Sequence, residues 1–281
     1  MAKRKPRNRS AKKKAVKVKP NRPPIPTDVA RQVRQECYFG CVLCGSPVFH
    51  YDHIEEYAVV KEHKVENLAL LCASHHNDKS TKKLSSERVK EARENPYNKD
   101  RLATAGHKLV DNRSIEIILG TNHAISPLRA DGEFCAVYVN GYSYLKIVSE
   151  NGWLSLSMAI TDINGNTLLS VEKGEIKVAT KIFDYTYIGD NLVIKSNDSQ
   201  VVTDLNLNNQ RLKVNKALFI DRHKTGFKVE GDALFAVRRG NVSARYEDGK
   251  VYECTGGWAI WERTAFPDAL PPNGFGFSIQ F

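Results

Sequence analysis

Two pairs of soft side chains, separated by about thirty residues, constrain the fold of this chain more than any other feature. Cys41 and Cys44 form a Cys-x-x-Cys pair, and Cys72 and His75 form a Cys-x-x-His pair. This is the ligand spacing of one tetrahedral structural zinc ion. The enclosed segment is too short to bury a hydrophobic core, so the metal is expected to supply much of its folding free energy. His75 keeps the usual spacing, and His76 is the alternative fourth ligand.

The six cysteines do not form a disulfide pattern. Three of them belong to the zinc pattern, whereas Cys37, Cys135 and Cys254 are scattered along the chain. In a chain of 281 residues this usage is typical of a reducing compartment, and we expect a cytoplasmic protein. No apolar run approaches the ~20 residues that span a bilayer, so we expect no membrane partner.

The net charge of +10 comes from the first 22 residues, which hold eleven lysines and arginines and no acidic residue. Such a block repels itself and buries nothing, and it is predicted to be disordered in isolation. Its function is predicted to be phosphate binding without base specificity, although a solubilising tail is the alternative. The proline-rich segment 20–26 is predicted to be a stiff spacer, which makes 1–26 an arm plus spacer.

Residues 27–95 are predicted to form one small α+β module. Thr27 is expected to cap a helix from Asp28 to about Glu36, and further helices are expected near Ala73 and over 86–94. Strands are predicted over 48–54 and 68–71.

Polar groups that the zinc does not need lie within this module, in the order Asp52-His53, Asn67, His76 and Lys79. Together with the zinc pattern, this order resembles the HNH, or ββα-metal, endonuclease family. The resemblance covers about residues 28–83.

The resemblance implies a catalytic role for each of these residues. His53 would be the general base. Asn67 would hold the loop backbone and thereby orient His53. Asp52 and His76 would bind a catalytic Mg²⁺ or Mn²⁺, and Lys79 would contact phosphate. A regular strand would point Asp52 and His53 to opposite faces, so a bend or bulge is needed for both to reach one site.

Residues 112–281 are predicted to form an all-β domain, an antiparallel sandwich or roll, joined through a linker at 96–111. Asn-Gly, Asp-Gly and Gly-Gly dipeptides separate short apolar or alternating runs, which is a hairpin signal. The predicted strands are 115–119, 135–139, 144–148, 153–160, 167–171, 175–179, 192–195, 212–214, 233–237, 250–253 and 258–261.

The sequence therefore predicts a metal-dependent HNH endonuclease that hydrolyses phosphodiester bonds of nucleic acid, with DNA as the expected substrate. The β domain would serve targeting, sensing or assembly, through a protein partner or a second copy of the chain. The alternative is a zinc-containing nucleic-acid-binding protein without catalysis, which would need only the zinc ligands. His63, four residues before Asn67, is either an extra ligand or phosphate contact or a solvated loop residue.

Overall fold

The computed structural model describes residues 22–108, 116–125, 131–150, 153–208, 211–252, 254–272 and 274–281. The first 21 residues of the predicted arm and residues 109–111 of the predicted linker lie outside the described residues. In the described part, a small module of short helices and two strands precedes a large all-β part, which confirms the predicted α+β class. None of the described helices is long and apolar enough to cross a membrane.

The N-terminal module is a two-stranded antiparallel sheet surrounded by helices. Its elements are α1 Thr27–Glu36, β1 His50–His53, α2 Tyr57–Val60, a 3₁₀ turn Val65–Asn67, β2 Leu68–Leu71, α3 Ala73–Ser80 and α4 Ser86–Glu94. Strand β2 is fully buried, and it packs with Val33 of α1 and Val89 of α4 in a small core. Because β1 pairs with β2, the core fixes the strand that carries Asp52 and His53.

The ends of these helices differ in how well the sequence predicts them. The Ser85 hydroxyl accepts a hydrogen bond from the Arg88 amide at 3.1 Å, so Ser85 caps α4 as expected. Thr27 does not cap α1. It is the first helical residue, after Pro26, which has no capping hydrogen bond.

The β part contains eighteen strands within the described residues. They are β3 His107–Lys108, β4 Glu116–Leu119, β5 Asn122–Ile125, β6 Gly132–Val139, β7 Tyr142–Glu150, β8 Trp153–Thr161, β9 Thr167–Glu172, β10 Glu175–Val178, β11 Asp184–Ile188, β12 Asn191–Lys195, β13 Val201–Asn208, β14 Arg211–Ile220, β15 Gly226–Glu230, β16 Ala233–Arg238, β17 Asn241–Tyr246, β18 Lys250–Val251, β19 Gly256–Trp261 and β20 Phe275–Gln280.

These strands form two sheets. One has eight described strands in the order β20-β19-β6-β7-β8-β9-β10-β3. The other has ten, with β11 to β17 in sequence order and a branch in which β4 pairs with β14, β5 with β4, and β18 with β5. Both sheets contribute to one hydrophobic core, as in a sandwich. The pairing is mixed rather than purely antiparallel as predicted, because β4–β14, β5–β18, β6–β19 and β19–β20 are parallel pairs.

The module is packed against the β part by a buried ion pair. Arg34 of α1 donates to both carboxylate oxygens of Asp184 on β11, at 2.8 Å each, and both side chains are buried. The same guanidinium donates to the Tyr51 hydroxyl of β1. Phe39 belongs to the β core, and Phe49 meets the Tyr185 ring edge-on with centroids 6.3 Å apart.

The segment predicted as a linker is bound to the β part at one end and to the N-terminal module at the other. Thr104 donates its amide to the Val178 carbonyl at 2.7 Å, Ala103 bridges to Ala179, and β3 extends the eight-stranded sheet beside β10. At its other end, Asn98 is buried and donates to the carbonyls of Tyr38 and Gly45. Residues 97–108 are therefore a docked segment and not a free linker, because their backbone groups are paired on both sides.

Candidate active site

Cys41, Cys44, Cys72 and His75 form one cluster whose ligand atoms all lie within 4.8 Å of one another. The first two come from a tight turn closed by a hydrogen bond from the Gly45 amide to the Cys41 carbonyl, at 2.7 Å, with Gly45 at positive φ. Cys72 precedes α3, and His75 lies in its first turn. His75 Nδ1 is 3.3 Å from both Cys41 Sγ and Cys72 Sγ.

The cluster has the size and chemistry of a zinc site. Cys44 Sγ and Cys72 Sγ are 3.8 Å apart, and a tetrahedron with Zn–S bonds of about 2.3 Å has edges of ~3.8 Å. The pKa of Cys41 is lowered to about 4 by hydrogen bonds from the Cys44 thiol and from nearby backbone amides. The thiolate is the form that binds metal. His75 rather than His76 completes the set, so three sulfurs and one imidazole nitrogen fit zinc.

A cavity of about 630 Å³ lies beside this cluster and collects the other polar residues. Asp52 and His53 of β1 and His76 and Lys79 of α3 line it. Asp52 and His53 are neighbours on a strand, but β1 ends at His53 and the chain turns there. The end of the strand, and not a bulge within it, lets both side chains reach the cavity.

Asp52 is the centre of a charged group in this cavity. Its Oδ2 is 2.6 Å from Lys79 Nζ, and its Oδ1 is 3.6 Å from His76 Nε2. Lys79 also donates to the backbone carbonyl of His53. Neighbouring ligands on one small octahedral ion are ~3 Å apart, so Asp52 and His76 are spaced to share a divalent cation. The remaining positions of such an ion would face the cavity, where a phosphate could reach it.

Asn67 lies behind this cavity and holds the turn after β1. Its Oδ1 accepts from the Glu55 amide at 2.8 Å, and its Nδ2 donates to the Glu55 carbonyl at 3.1 Å. The Ile54 amide donates to the Asn67 carbonyl at 2.9 Å. Asn67 therefore fixes the backbone on the C-terminal side of His53, as the resemblance implies.

Comparison with protein families matches this part of the chain. Residues 41–82 match the model of the HNH endonuclease family. The match contains the four cluster ligands together with Asp52, His53, Asn67, His76 and Lys79. It confirms the resemblance for the N-terminal module and relates this module to nucleases and nucleic acids. No curated protein and no solved structure matches the chain, and the β part has no recognised family.

His53 of the HNH module is buried and contacts three groups that the sequence pattern does not identify. Its Nδ1 is 2.6 Å from Arg22 Nη2, its Nε2 is 3.2 Å from His63 Nδ1, and its ring meets Tyr57 edge-on with centroids 5.3 Å apart. Burial, followed by the nearby Arg22 and His63, lowers the pKa of His53 to about 4. The imidazole is therefore neutral at pH 7 and carries a lone pair that can accept a proton.

Arg22 and His63 are thus the site residues that sequence reasoning missed or left open. Arg22 belongs to the basic stretch that the sequence assigns to an arm, 31 positions before His53. The sequence identifies His63 only by its distance from Asn67, either as a ligand or phosphate contact or as a solvated loop residue. The contacts in the structure argue against a solvated loop residue. His63 stacks on Tyr57 with ring centroids 4.9 Å apart and hydrogen-bonds within the site.

Proposed function

We propose that the HNH module is a metal-dependent endonuclease that hydrolyses phosphodiester bonds of DNA, leaving 5′-phosphate and 3′-hydroxyl ends. The observation that carries this proposal is the single cavity shared by Asp52, His53, His76 and Lys79 next to a zinc-type cluster. A protein that only binds nucleic acid needs the cluster but not these four groups. The family match supports the same conclusion.

His53 would act as the general base in this reaction. The imidazole of His53 is neutral and lines the cavity. The two hydrogen bonds between Asn67 and the Glu55 backbone restrict the chain that follows His53. A positioned base of this kind contributes ~10²–10⁴-fold to a rate.

Asp52 and His76 would hold Mg²⁺ or Mn²⁺, which supplies charge stabilisation to the phosphate and its leaving oxygen when bound. Lys79 forms an ion pair with Asp52 and a hydrogen bond with the His53 carbonyl, so it links the proposed metal ligand to the backbone of the proposed base. The zinc cluster would be structural, because its four protein ligands leave no open position for substrate.

The basic N-terminal stretch would add affinity for the DNA backbone, since each lysine or arginine that contacts a phosphate releases counterions. The β part would select the target or partner. Cytoplasmic residence is part of the proposal, because all six cysteines are free and three belong to a cluster that requires reduced thiols.

Cleavage of supercoiled plasmid by the purified protein, with added Mg²⁺ or Mn²⁺, tests this function. His53→Ala should lower the single-turnover rate by roughly 10²–10⁴-fold, because it removes the base. The matched control is His123→Ala. This histidine lies on β5, far from His53 in the sequence, and contacts Glu116. DNA binding should survive both changes. Binding without cleavage by the unmodified protein would establish the non-catalytic alternative instead.

A further inference from the structure

The start of the described chain lies across the catalytic cavity. Arg22 lines the cavity, with its Nη2 2.6 Å from His53 Nδ1 and its guanidinium carbon 5.0 Å from the centre of the Tyr57 ring. The next residue, Pro23, accepts a hydrogen bond from His63 Nε2 at 2.9 Å. The end of the basic stretch is therefore held at two successive residues, Arg22 on the proposed base and Pro23 on His63.

Three hydrogen bonds link Arg22, His53, His63 and the Pro23 carbonyl, and the chemistry of the two end groups fixes which atom donates in each. A guanidinium only donates and a carbonyl only accepts. The Pro23 carbonyl therefore requires a proton on His63 Nε2, which leaves Nδ1 of neutral His63 as an acceptor for a proton on His53 Nε2. The lone pair of His53 then lies on Nδ1, which faces Arg22.

A consequence follows for the proposed chemistry. The nitrogen that would take a proton from water already accepts a hydrogen bond from Arg22, and the other ring nitrogen carries a proton. In this arrangement neither ring nitrogen of His53 is free to deprotonate water. The base becomes available only when Arg22 moves.

Arg22 has a reason to move when a phosphate arrives. None of the ion pairs in the described part of the chain includes Arg22, whereas Lys79 in the same cavity is neutralised by Asp52. Its contact with a neutral imidazole is a weaker partner than a phosphate, which a guanidinium binds through paired charge-assisted hydrogen bonds. Tyr57 supports the guanidinium from one side by a cation–π contact and leaves its edge free.

We infer that Arg22 is a phosphate-binding residue of the active site that caps His53 Nδ1 in the free protein, so that nucleic acid itself uncaps the base. This inference rests on the proposed function for its consequence, but the cap is a property of the free protein. It connects the basic N-terminal stretch to catalysis, beyond a general contribution to affinity. His63 is a positioning residue here, because it fixes the tautomer of His53 without touching the substrate.

The test uses the full chain labelled with ¹⁵N in its histidines, at a pH where His53 is neutral, with its signals assigned by their loss in His53→Gln. An unprotonated ring nitrogen that accepts a hydrogen bond resonates upfield of a free one. The His53 Nδ1 signal of the unmodified protein should therefore lie upfield of the same signal in Arg22→Ala. Adding a short DNA duplex without divalent metal should move the unmodified signal toward that of the variant. Lys99→Ala, which removes one exposed positive charge outside the cavity, should behave like the unmodified protein.

The cleavage assay gives an independent readout. Arg22→Ala should lower the single-turnover rate by roughly 10–100-fold through the lost phosphate contact, and Lys99→Ala should leave it within about twofold. Equal Nδ1 signals in the unmodified protein and Arg22→Ala, or a signal that DNA does not move, would overturn the inference even if the protein cuts DNA. An absence of cleavage in every variant would reject the proposed function, and the Nδ1 comparison would still decide whether the cap exists.

Discussion

At the scale of single residues, the active site depends on what surrounds His53. Burial removes water from the imidazole, Arg22 adds a positive charge beside it, and the electrostatic effect of His63 acts in the same direction. All three disfavour the charged form, so the pKa of His53 lies near 4, well below the ordinary value of about 6.5. The imidazole of His53 is thus unprotonated under mildly acidic conditions as well as neutral ones.

This lowered pKa predicts the acid limb of the cleavage profile. A general base works when it is unprotonated, so activity is present above its pKa and is lost as the pH falls through it. Because kcat/KM reports the free enzyme, its acid limb should lie below the ordinary histidine pKa of about 6.5. Arg22→Ala removes a nearby positive charge and should move the limb to higher pH, whereas Lys99→Ala should not. Identical limbs near the ordinary value in all three proteins would contradict the described surroundings of His53.

The sequence could predict the identity of these residues but not their neighbours. The order Asp52-His53, Asn67, His76 and Lys79 is a local signature, and the structure brings its members together around β1 and α3. The Arg22 contact depends on how an extended segment crosses the module, and no periodicity or turn signal encodes that path. Contacts made by such a segment are set by tertiary packing.

At the scale of elements, turn dipeptides in the sequence predicted the structure correctly where two neighbouring strands are joined by a tight turn. Asn140-Gly141 joins β6 to β7 as an ordinary hairpin turn, with both residues at positive φ. Gly256-Gly257, predicted as a turn, instead lies inside β19, where a Cβ on Gly257 would come within 2.6 Å of the Ala136 carbonyl oxygen. That glycine pair marks close packing between strands, which a turn dipeptide alone cannot distinguish.

Strands with distant partners were the hardest to predict. The run Phe275–Gln280 forms β20 and pairs in parallel with β19, yet it was not predicted as a strand. A parallel pair has no tight turn to announce it, since its connection is long. The same reason explains why purely antiparallel pairing was expected.

The zinc cluster makes a prediction about the module as an element of the fold. Protein purified without added metal should contain about one equivalent of zinc. Cys72→Ser should lose that zinc and melt the module, because structural zinc supplies an apparent ~10–16 kcal/mol in small zinc folds. Cys135→Ser changes a cysteine on β6 outside the cluster and should keep the metal. Elemental analysis and thermal melts with and without EDTA measure both, and a metal-free protein with an intact module would refute the cluster as a zinc site.

The docking of α1 predicts an unequal effect of two aspartates that both pair with its arginines. Asp184→Ala leaves the Arg34 guanidinium buried without a carboxylate, which should cost ~3–5 kcal/mol of unfolding free energy. Asp198→Ala removes the exposed partner of Arg31 and should cost at most about 1 kcal/mol. Chemical denaturation of the two variants provides the comparison. Similar losses would mean that the buried ion pair does not hold the module on the β part.

At the scale of the whole molecule, the two parts are less separate than the sequence indicates. Composition and turn chemistry change near residue 112, but the structure places Phe39 in the β core and binds residues 97–108 to the edge of the eight-stranded sheet. The sequence could not show this, because a buried ion pair such as Arg34–Asp184 joins positions 150 residues apart. The N-terminal module and the β part are therefore expected to influence each other's stability. The boundary between them remains a proposal.

Separate expression of the parts tests this coupling. A fragment of residues 97–281 should fold alone, with a β-type circular dichroism spectrum and a melt insensitive to EDTA, because its core lies between its own two sheets. A fragment of residues 112–281 lacks β3 and the two hydrogen bonds between Thr104 and Val178. It should unfold more easily, by roughly 0.5–1.5 kcal/mol for each buried hydrogen bond lost.

The complementary fragment, residues 1–96, should keep the zinc ligands but lose the Asp184 carboxylate and the apolar surface that covers Phe39 and Phe49. An unpaired Arg34 then leaves Tyr51, which precedes Asp52 on β1, without its fixed partner. We expect this fragment to bind zinc, to melt below the full chain, and to cut DNA more slowly than the full chain. Restoring the rate by adding the 97–281 fragment would show that the β part supports the catalytic strand through this contact. A 1–96 fragment as stable and as active as the full chain would show that the contact between the two parts carries no energetic weight.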